Sequence, residues 1–325
     1  MKHLTRVGVL RGGPSSEYEI SLKTGGNVLK VLRQKFGDKY QTHDILIDKE
    51  GNWHIDGMKT VPEKLSSQID IAFNALHGSY GEDGKVQRIL DMHGIKYTGS
   101  DSLSSAVGMN KALSRKVFEN HGLKIPIGKE ISSEEIVANV IEVARELFRS
   151  FPMPAVVKPV SAGSSVGVSI AHTQKELVDA LNNAAQHDSK VLIEEFIKGT
   201  EVTVGVIEGF RDQGLYVLPV VEIVPKTKFF DFEAKYEGKS EEIVPARLVH
   251  KIKGELSDLA RKAHQALGLR HYSRSDFIIH PKRGIFILET NTLPGLTDES
   301  LIPKALRSVG SDTHELVDHL IQGVL

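Results

Sequence analysis

Four polar residues stand in a hairpin that is otherwise apolar. Residues 272–297 read YSRSDFIIHPKRGIFILETNTLPGLT, two apolar runs about a turn at HPKRG. Arg274 and Asp276 lie in the first run, Glu289 and Asn291 in the second. If His280 pairs with Ile285, Asp276 falls opposite Glu289 and Arg274 opposite Asn291. Cross-strand neighbours hold their Cβ atoms about 4.5–5.5 Å apart, and alternate residues share a face. That register puts all four on one side, at the end away from the turn. Two carboxylates so close repel each other unless a cation or a proton joins them. A set of two acids and one amide suits Mg²⁺, which keeps several waters and binds substrate phosphates. The competing reading is a solvated hairpin end in which Arg274 pairs one acid. Pro294 and Gly295 then make a tight turn ahead of Ser300 and Leu301, and backbone N–H groups in such a loop can hold an anion.

A metal that serves a nucleotide needs a phosphate cradle. The chain has no G-x-x-x-x-G-K-[ST] sequence. VVKPVSAGSSVGV offers a different cradle: Lys158 ends a strand, and Gly163, Ser164 and Ser165 form a loop of small residues whose amides can approach phosphate oxygens. An ordinary flexible turn reads the same way. In LIEEFIKGTEVTV, Glu194, Glu195 and Glu201 could accept from an adenine amine and ribose hydroxyls. Read alone they are better explained as edge-strand charges that discourage aggregation. Glu17, in GGPSSEYEISL, could hold a substrate ammonium or simply complement a helix dipole. His77 follows an apolar strand in a Gly-rich loop, either as a ligand contact or as a turn residue. Lys111 sits in a helical stretch, where a lysine is ordinarily solvated. The aromatic, charged FFDFEAKY is either a lid that excludes water or an anchored element.

These residues need a scaffold. A chain of 325 residues implies two or three domains. A composition 40% apolar and 26% charged is that of an ordinary soluble globular protein. A net charge of −1 argues against general nucleic-acid or anionic-membrane binding. The absence of cysteine excludes disulfides, thiolate metal sites and Cys nucleophiles. No apolar run is long enough to be a signal peptide or membrane span, so a cytoplasmic location is expected.

Up to residue 101, strands (RVGVLRGG, THDILID, IDIAFNALHG, KYTGS) alternate with helices (SSEYEISLKTGGNVLKVLRQKF, GKVQRILDMHG), which implies a parallel, Rossmann-like sheet. Ser15 or Ser16 is the expected helix cap. SLSSAVGMNKALSRKVFENHG reads as one helix closing on a Gly cap. A middle block to residue 192 holds PAVVKPV and VGVSIAH as strands and TQKELVDALNNAAQ as a helix. The remainder, 193–325, adds further strands, a helix near GELSDLARKAHQALG, the hairpin and a final helix in DTHELVDHLIQGVL.

Taken together, the segments resemble the D-alanine–D-alanine ligase family of the ATP-grasp superfamily. The matching pieces run in family order: GGPSSEYEISL, NALHGSYGEDG, YTGS, VVKPVSAGSSVGV, LIEEFIKGTEVTVGV, FFDFEAKY, SRSDF and ILETNTLPGLTDESLIPKA. The resemblance implies an α/β and α+β, three-domain ATP-grasp architecture divided at 1–101, 102–192 and 193–325, with ATP between the last two. It implies two Mg²⁺ or Mn²⁺ ions on Asp276, Glu289 and Asn291. Lys111, Lys158, Ser165 and Lys235 would meet the phosphates, and Glu194, Glu195 and Glu201 the adenine and ribose. Glu17 would hold the first D-alanine's ammonium, linked to Ser164 and Tyr236, with His77 near its carboxylate. Ser300 and the Leu301 amide would bind the second D-alanine's carboxylate, while Arg274 and Gly295 stabilise an oxyanion. The resemblance also implies a homodimer. Phe230, Phe232 and Thr290 depart from common family residues, at positions that are not catalytic in the family. The family has D-lactate-using relatives, and the EAKY ending looks like the D-alanine-using type. A non-catalytic nucleotide-binding regulator is the rival from another class, and the intact Arg274, Asp276, Glu289, Asn291 and Lys235 speak against it.

Overall fold

A strand with apolar residues at successive positions is stable only when both faces are covered. RVGVLRG is such a run, and it forms β1 (Thr5–Gly12) with Val7, Val9 and Leu10 fully buried. A computed structural model describes residues 4–225 and 240–325 of the chain. After β1 come α1 (Tyr18–Lys35), β2 (Tyr40–Ile47), β3 (Trp53–Ile55), β4 (Met58–Thr60), α2 (Pro62–Leu65), β5 (Ile71–Asn74), α3 (Lys85–Met92) and β6 (Lys96–Tyr97). They build a sheet of order β4-β3-β2-β1-β5-β6. Strands β2, β1, β5 and β6 are parallel. The β3–β4 edge is antiparallel and was not expected from the sequence. Because β1 is flanked by β2 and β5, a crevice opens beyond the carboxyl ends of β1 and β5, where open α/β sheets bind ligands. Ser15 and Ser16 do not cap α1. The cap position is Glu17, which has no side-chain cap bond, and Ser15 Oγ instead accepts the Glu17 N–H at 3.0 Å.

The single helix expected over 102–122 is two helices, α4 (Ser102–Met109) and α5 (Lys111–Asn120). Asn110 is extended (φ −84°, ψ 102°) and its side chain caps α5 by accepting from the Leu113 N–H. Asn favours that capping role over a helix interior. The break makes Lys111 the first residue of α5. The next elements are β7 (Gly128–Ser132), α6 (Ser133–Ser150), β8 (Ala155–Pro159), β9 (Ser169–Ala171), α7 (Gln174–Ala185) and β10 (Lys190–Glu195). The four strands form an antiparallel sheet of order β7-β10-β8-β9. Helix α6 was missed from the sequence, although Ser132 caps it by accepting from the Glu135 N–H and Ile136, Val143 and Leu147 keep a helical spacing. Leu177 and Leu181 of α7 pack in the same core. The boundary expected at 192 falls inside β10, all of which pairs within this second sheet.

The third sheet is antiparallel. It holds β11 (Thr200–Glu208), β12 (Leu215–Val217), β13 (Val221–Pro225), β14 (Ser240–Ile243), β15 (Tyr272–His280) and β16 (Gly284–Asn291). Its order is β14-β13-β11-β15-β16, with β12 pairing β11. Helix α8 (His250–Ala266) covers one face, where Leu256, Ala260 and Ala263 meet Phe277, Ile285 and Ile287, joined by Phe118 of α5. Helices α9 (Leu301–Arg307) and α10 (Thr313–Gln322) pack back onto the first body. Ile302, Leu306, Leu316 and Leu320 share a core with Val28 and Leu32 of α1.

The hairpin corrects one step of the sequence reading. His280 pairs with Gly284, not Ile285, yet Asp276 still faces Glu289 and Arg274 still faces Asn291. A bulge between Asp276 and Phe277 reconciles the two ends, with Leu288 as the extra residue. Ile285 and Ile287 must face the α8 core, where each is at most 6% exposed. Glu289 and Asn291 share their parity, so an unbroken strand would aim all four the same way. One added residue lets the isoleucines enter the core while the polar pair turns to the other face.

Candidate active site

Strands of the third sheet, the start of α1 and several loops meet around a cavity of about 660 Å³. From the third sheet it is lined by Arg274, Asp276, Glu289 and Asn291, together with Glu201 of β11. All four hairpin residues are partly exposed, whereas Ser275 and Thr290 on the opposite face are buried and bond to each other at 2.8 Å. Asp276 is tightly held. It accepts from Arg274 Nε at 2.9 Å and Nη2 at 3.0 Å, and from Thr203 Oγ1 at 2.6 Å. Thr203 pairs with Asp276 across the strands. The sequence reading missed it, although the alternation EVTVGV places a polar side chain there.

Lys111 reaches this acidic end. The helix break buries it to 8% exposure, against the expectation of a solvated lysine. Its N–H donates to Val160 O at 2.9 Å, its Nζ donates to Ala162 O at 2.6 Å, and Nζ lies 3.7 Å from Glu289 Oε2.

The opposite wall comes from the first sheet's crevice. Glu17, at the start of α1, is 6% exposed and accepts a hydrogen bond from Ser164 Oγ. Ser164 and Ser165 both have positive φ, 47° and 59°, a conformation that favours glycine and marks a tightly constrained loop. Gly78 and Gly163 crowd the same carboxylate. A Cβ on either would lie 2.6 Å from Glu17 Oε2, so only glycine leaves room for it. His77 is buried, with Nε2 at 2.9 Å from Thr24 Oγ1 and Nδ1 at 3.7 Å from Glu82 Oε1. Glu82, which the sequence reading passed over, accepts from the Gly78 N–H at 2.9 Å. Gly295, Ser300 and Leu301 line the remaining wall. Ser300 Oγ bonds the Thr297 N–H at 3.1 Å and the Thr297 hydroxyl at 2.8 Å, and Leu301 opens α9, where first-turn N–H groups lack helical partners.

Four expected residues do not line this cavity: Lys158, Ser165, Glu194 and Glu195. The two acids are not edge-strand charges either, because β10 runs between β7 and β8. Glu194, 2% exposed, bonds Arg115 and lies 2.5 Å from Lys158 Nζ. Burial of a carboxylate requires such partners. Glu195 accepts from Arg283 at 2.6 and 2.8 Å and from the Ile127 N–H at 2.9 Å. The bond from Arg283 outweighs burial and holds the Glu195 carboxyl below its usual range. That contact ties the second sheet to the hairpin turn of the third. Lys235 and Tyr236, with the rest of FFDFEAKY, lie outside the described residues.

Among the described residues, no three His, Asp or Glu side chains cluster to hold a metal ion by themselves. Asp276, Glu289 and the Asn291 amide make an oxygen-only set that faces the cavity and leaves further coordination to a ligand. That arrangement fits a hard divalent ion shared with phosphate oxygens.

The three-sheet fold and the hairpin facing the crevice agree with the ATP-grasp ligase class that the sequence resembles, and comparison with known proteins shows that class. The profile described as "D-ala D-ala ligase C-terminus" matches residues 117–322, and that described as "D-ala D-ala ligase N-terminus" matches 6–65 and 55–100. The chain belongs to the D-alanine–D-alanine ligase family. It is 41% identical over 320 residues to a D-alanine–D-alanine ligase of Geobacter sulfurreducens, covering 98% of this chain and 93% of the relative. It is 39% identical over 321 residues to that of Halalkalibacterium halodurans, covering 97% and 98%. Among solved structures, a D-Ala:D-Ser ligase from Enterococcus faecalis matches with TM-score 0.85 and 29% identity over 99% of this chain and all of that one. The Coxiella burnetii D-alanine–D-alanine ligase matches with TM-score 0.81 and 25% identity, over 98% and 93%.

Proposed function

We propose a division of labour among these residues for the reaction of the family, the ATP-dependent joining of two D-alanines into D-alanyl-D-alanine for peptidoglycan synthesis. A carboxylate is a poor electrophile, since its charge repels nucleophiles and oxide is a bad leaving group. In the first step a carboxylate oxygen of the first D-alanine bonds to the γ-phosphorus of ATP, the β,γ-bridging P–O bond breaks, and ADP leaves. Glu17 holds that substrate's ammonium, and His77 stands by its carboxylate. Lys111 and Lys235 offset charge on the phosphates. Lys158, tied to Glu194, serves the same phosphate chain, with Ser165 beside it and Glu201 toward the ribose. Divalent ions held by Asp276, Glu289 and Asn291 would neutralise charge on the transferring group.

In the second step the neutral amine of the second D-alanine attacks the acyl carbon. Ser300 and the Leu301 N–H orient its carboxylate. Arg274, fixed by its two bonds to Asp276, and the Gly295 N–H face the oxyanion, where one preorganised donor is worth about 3–4 kcal/mol. The nitrogen gives up one proton, the acyl C–O bond breaks, and phosphate leaves carrying that proton as hydrogen phosphate. Ser164, bonded to Glu17, and Tyr236 close the site against water, to which an acyl phosphate is labile.

The observation that carries this reading is the projection of Arg274, Asp276, Glu289 and Asn291 from one hairpin face into the cavity that Glu17 and Ser300 also line. Phosphate release tests it. D-Alanine with ATP gives phosphate and dipeptide, and L-alanine gives neither; equal response to both isomers refutes the assignment. Adding D-lactate to the D-alanine reaction leaves dipeptide as the main product. Among the described residues no helix is long and apolar enough to cross a membrane. The family resemblance supports a cytoplasmic location and a homodimer, and light scattering measures the mass that decides the second.

A further inference from the structure

The wall that holds Ser300 and Leu301 is also lined by three acids, Glu242, Asp298 and Glu299. An amino acid docking there brings its own carboxylate toward them, and like charges at such range oppose binding. Lys304 lies behind this wall. It sits one turn into α9, its N–H donating to Ser300 O at 3.1 Å. Its Nζ is 2.7 Å from Glu242 Oε2 and 3.0 Å from Glu299 Oε2. Burial pulls the Lys304 ammonium down, but the bonds to both acids more than reverse this and raise it, so it stays charged. The same bond holds the exposed Glu299 below its usual range. Glu242 is on β14 opposite Ile223, and Ile223 packs against Leu301. The ion pair therefore fastens β14 to the start of α9 at the point where the Leu301 amide opens.

We propose that Lys304 is a positioning residue for the second D-alanine. Its single charge halves the net charge of the Glu242–Glu299 pair and it pins β14 against α9, so the incoming carboxylate meets Ser300 and the Leu301 N–H with less opposing charge from the acidic wall that Asp298 completes. Lys304 does not line the cavity and acts through the two glutamates. The proposal rests on the reading of Ser300 and Leu301 as the carboxylate anchor.

The test is steady-state kinetics over a wide range of D-alanine concentration, resolving constants for the first and second substrate. Lys304→Met raises KM for the second D-alanine roughly tenfold, with kcat within twofold and the first constant unchanged. Adding Glu242→Gln and Glu299→Gln to Lys304→Met restores that KM to within threefold of the parent, a rescue that a merely structural lysine does not show. If Lys304→Met alone does not fold, the Glu242→Gln/Glu299→Gln pair is compared with and without it. Equal second-substrate KM is expected, and a tenfold difference overturns the proposal. Ser300→Ala separates the two readings. An unchanged KM there removes the anchor and the proposal with it. A raised KM in Ser300→Ala beside an unchanged one in Lys304→Met overturns the proposal alone.

Discussion

Glu→Gln changes one charge and almost no volume, so its effect depends on where the carboxylate sits. Glu289 is 34% exposed and faces Lys111 at 3.7 Å across an open cavity. Lys111 is buried, but it keeps its bond to Ala162 O, and an ion pair with one water-facing partner contributes about 1 kcal/mol, so Glu289→Gln lowers unfolding free energy by about 1 kcal/mol. The role proposed for its charge in turnover is another matter. Loss of one preorganised group at a phosphoryl-transfer site costs about 100- to 1000-fold in turnover, or about 2.7–4 kcal/mol. Glu194 gives the reverse pattern. Its side chain is 3% exposed and lies between those of Arg115 and Lys158, each 10% exposed. Glu194→Gln leaves two buried cations against a neutral amide, and breaking such a group costs about 3–5 kcal/mol. Phosphate release from ATP and D-alanine measures the first property, and urea unfolding followed by tryptophan fluorescence measures the second. Turnover of Glu289→Gln within threefold of the parent removes the metal and charge role. A Glu194→Gln midpoint shift worth under 1 kcal/mol shows that burial does not govern that cluster.

Deleting Leu288 removes the extra residue of the bulge while keeping Asp276 opposite Glu289; the chain is expected to fold with altered twist and to lose at least tenfold in turnover, and full activity would show that the bulge only absorbs a residue. Acid sensitivity should arise at His271, whose pKa is pulled from 6.5 to about 4 by burial first and then by Arg270, against the opposing pull of Glu208. Its Nδ1 accepts the Gly99 N–H at 2.8 Å, which requires the neutral ring. The unfolded chain binds the proton first, so this contribution is complete above about pH 6.5 and is lost as pH falls toward 4, by about 3 kcal/mol. His271→Asn, compatible with the positive φ of 64° at that position, should flatten this part of the stability profile measured by denaturant titration at successive pH values.

The sequence carried the polar hairpin face because alternation is a short-range property. Four residue types and one assumed register placed Asp276 opposite Glu289, and the structure keeps that pairing. What alternation cannot show is a change of phase. Ile285 and Ile287 have the same parity as Glu289 and Asn291, and only the demand of the α8 core for the isoleucines reveals that a residue must be bulged out. The break at Asn110 was hidden for a related reason. SLSSAVGMNKALSRKVFENHG reads as helical on both sides of Gly108 and Asn110, and those two poor helix formers were the only local sign of a break. The cap was decided by contacts far along the chain, where Lys111 bonds Val160 and Ala162. Glu194 and Glu195 were misjudged because charges in a strand usually mark an edge, and their partners Arg115 and Arg283 lie 79 and 88 residues away.

These departures share a cause, and it explains how one chain can supply a metal-suited face and a dry core from the same strands. A regular strand offers two faces of fixed parity, and a regular helix offers one continuous stripe. A site that needs acids beside a nucleotide and a lysine facing them must take residues out of step with the core-forming pattern around them. In β16 the step is one bulged residue. At 109–111 it is one extended asparagine that turns an exposed helix position into a buried first turn. Each irregularity redirects a single charged side chain while leaving its apolar neighbours in the cores that α8 and α5 build. A continuous helix through Asn110 would carry Lys111 away from Val160 and Ala162, and an in-step β16 without the extra residue would return Glu289 to the face of Ile285 and Ile287, so each irregularity sits where the chemistry requires it.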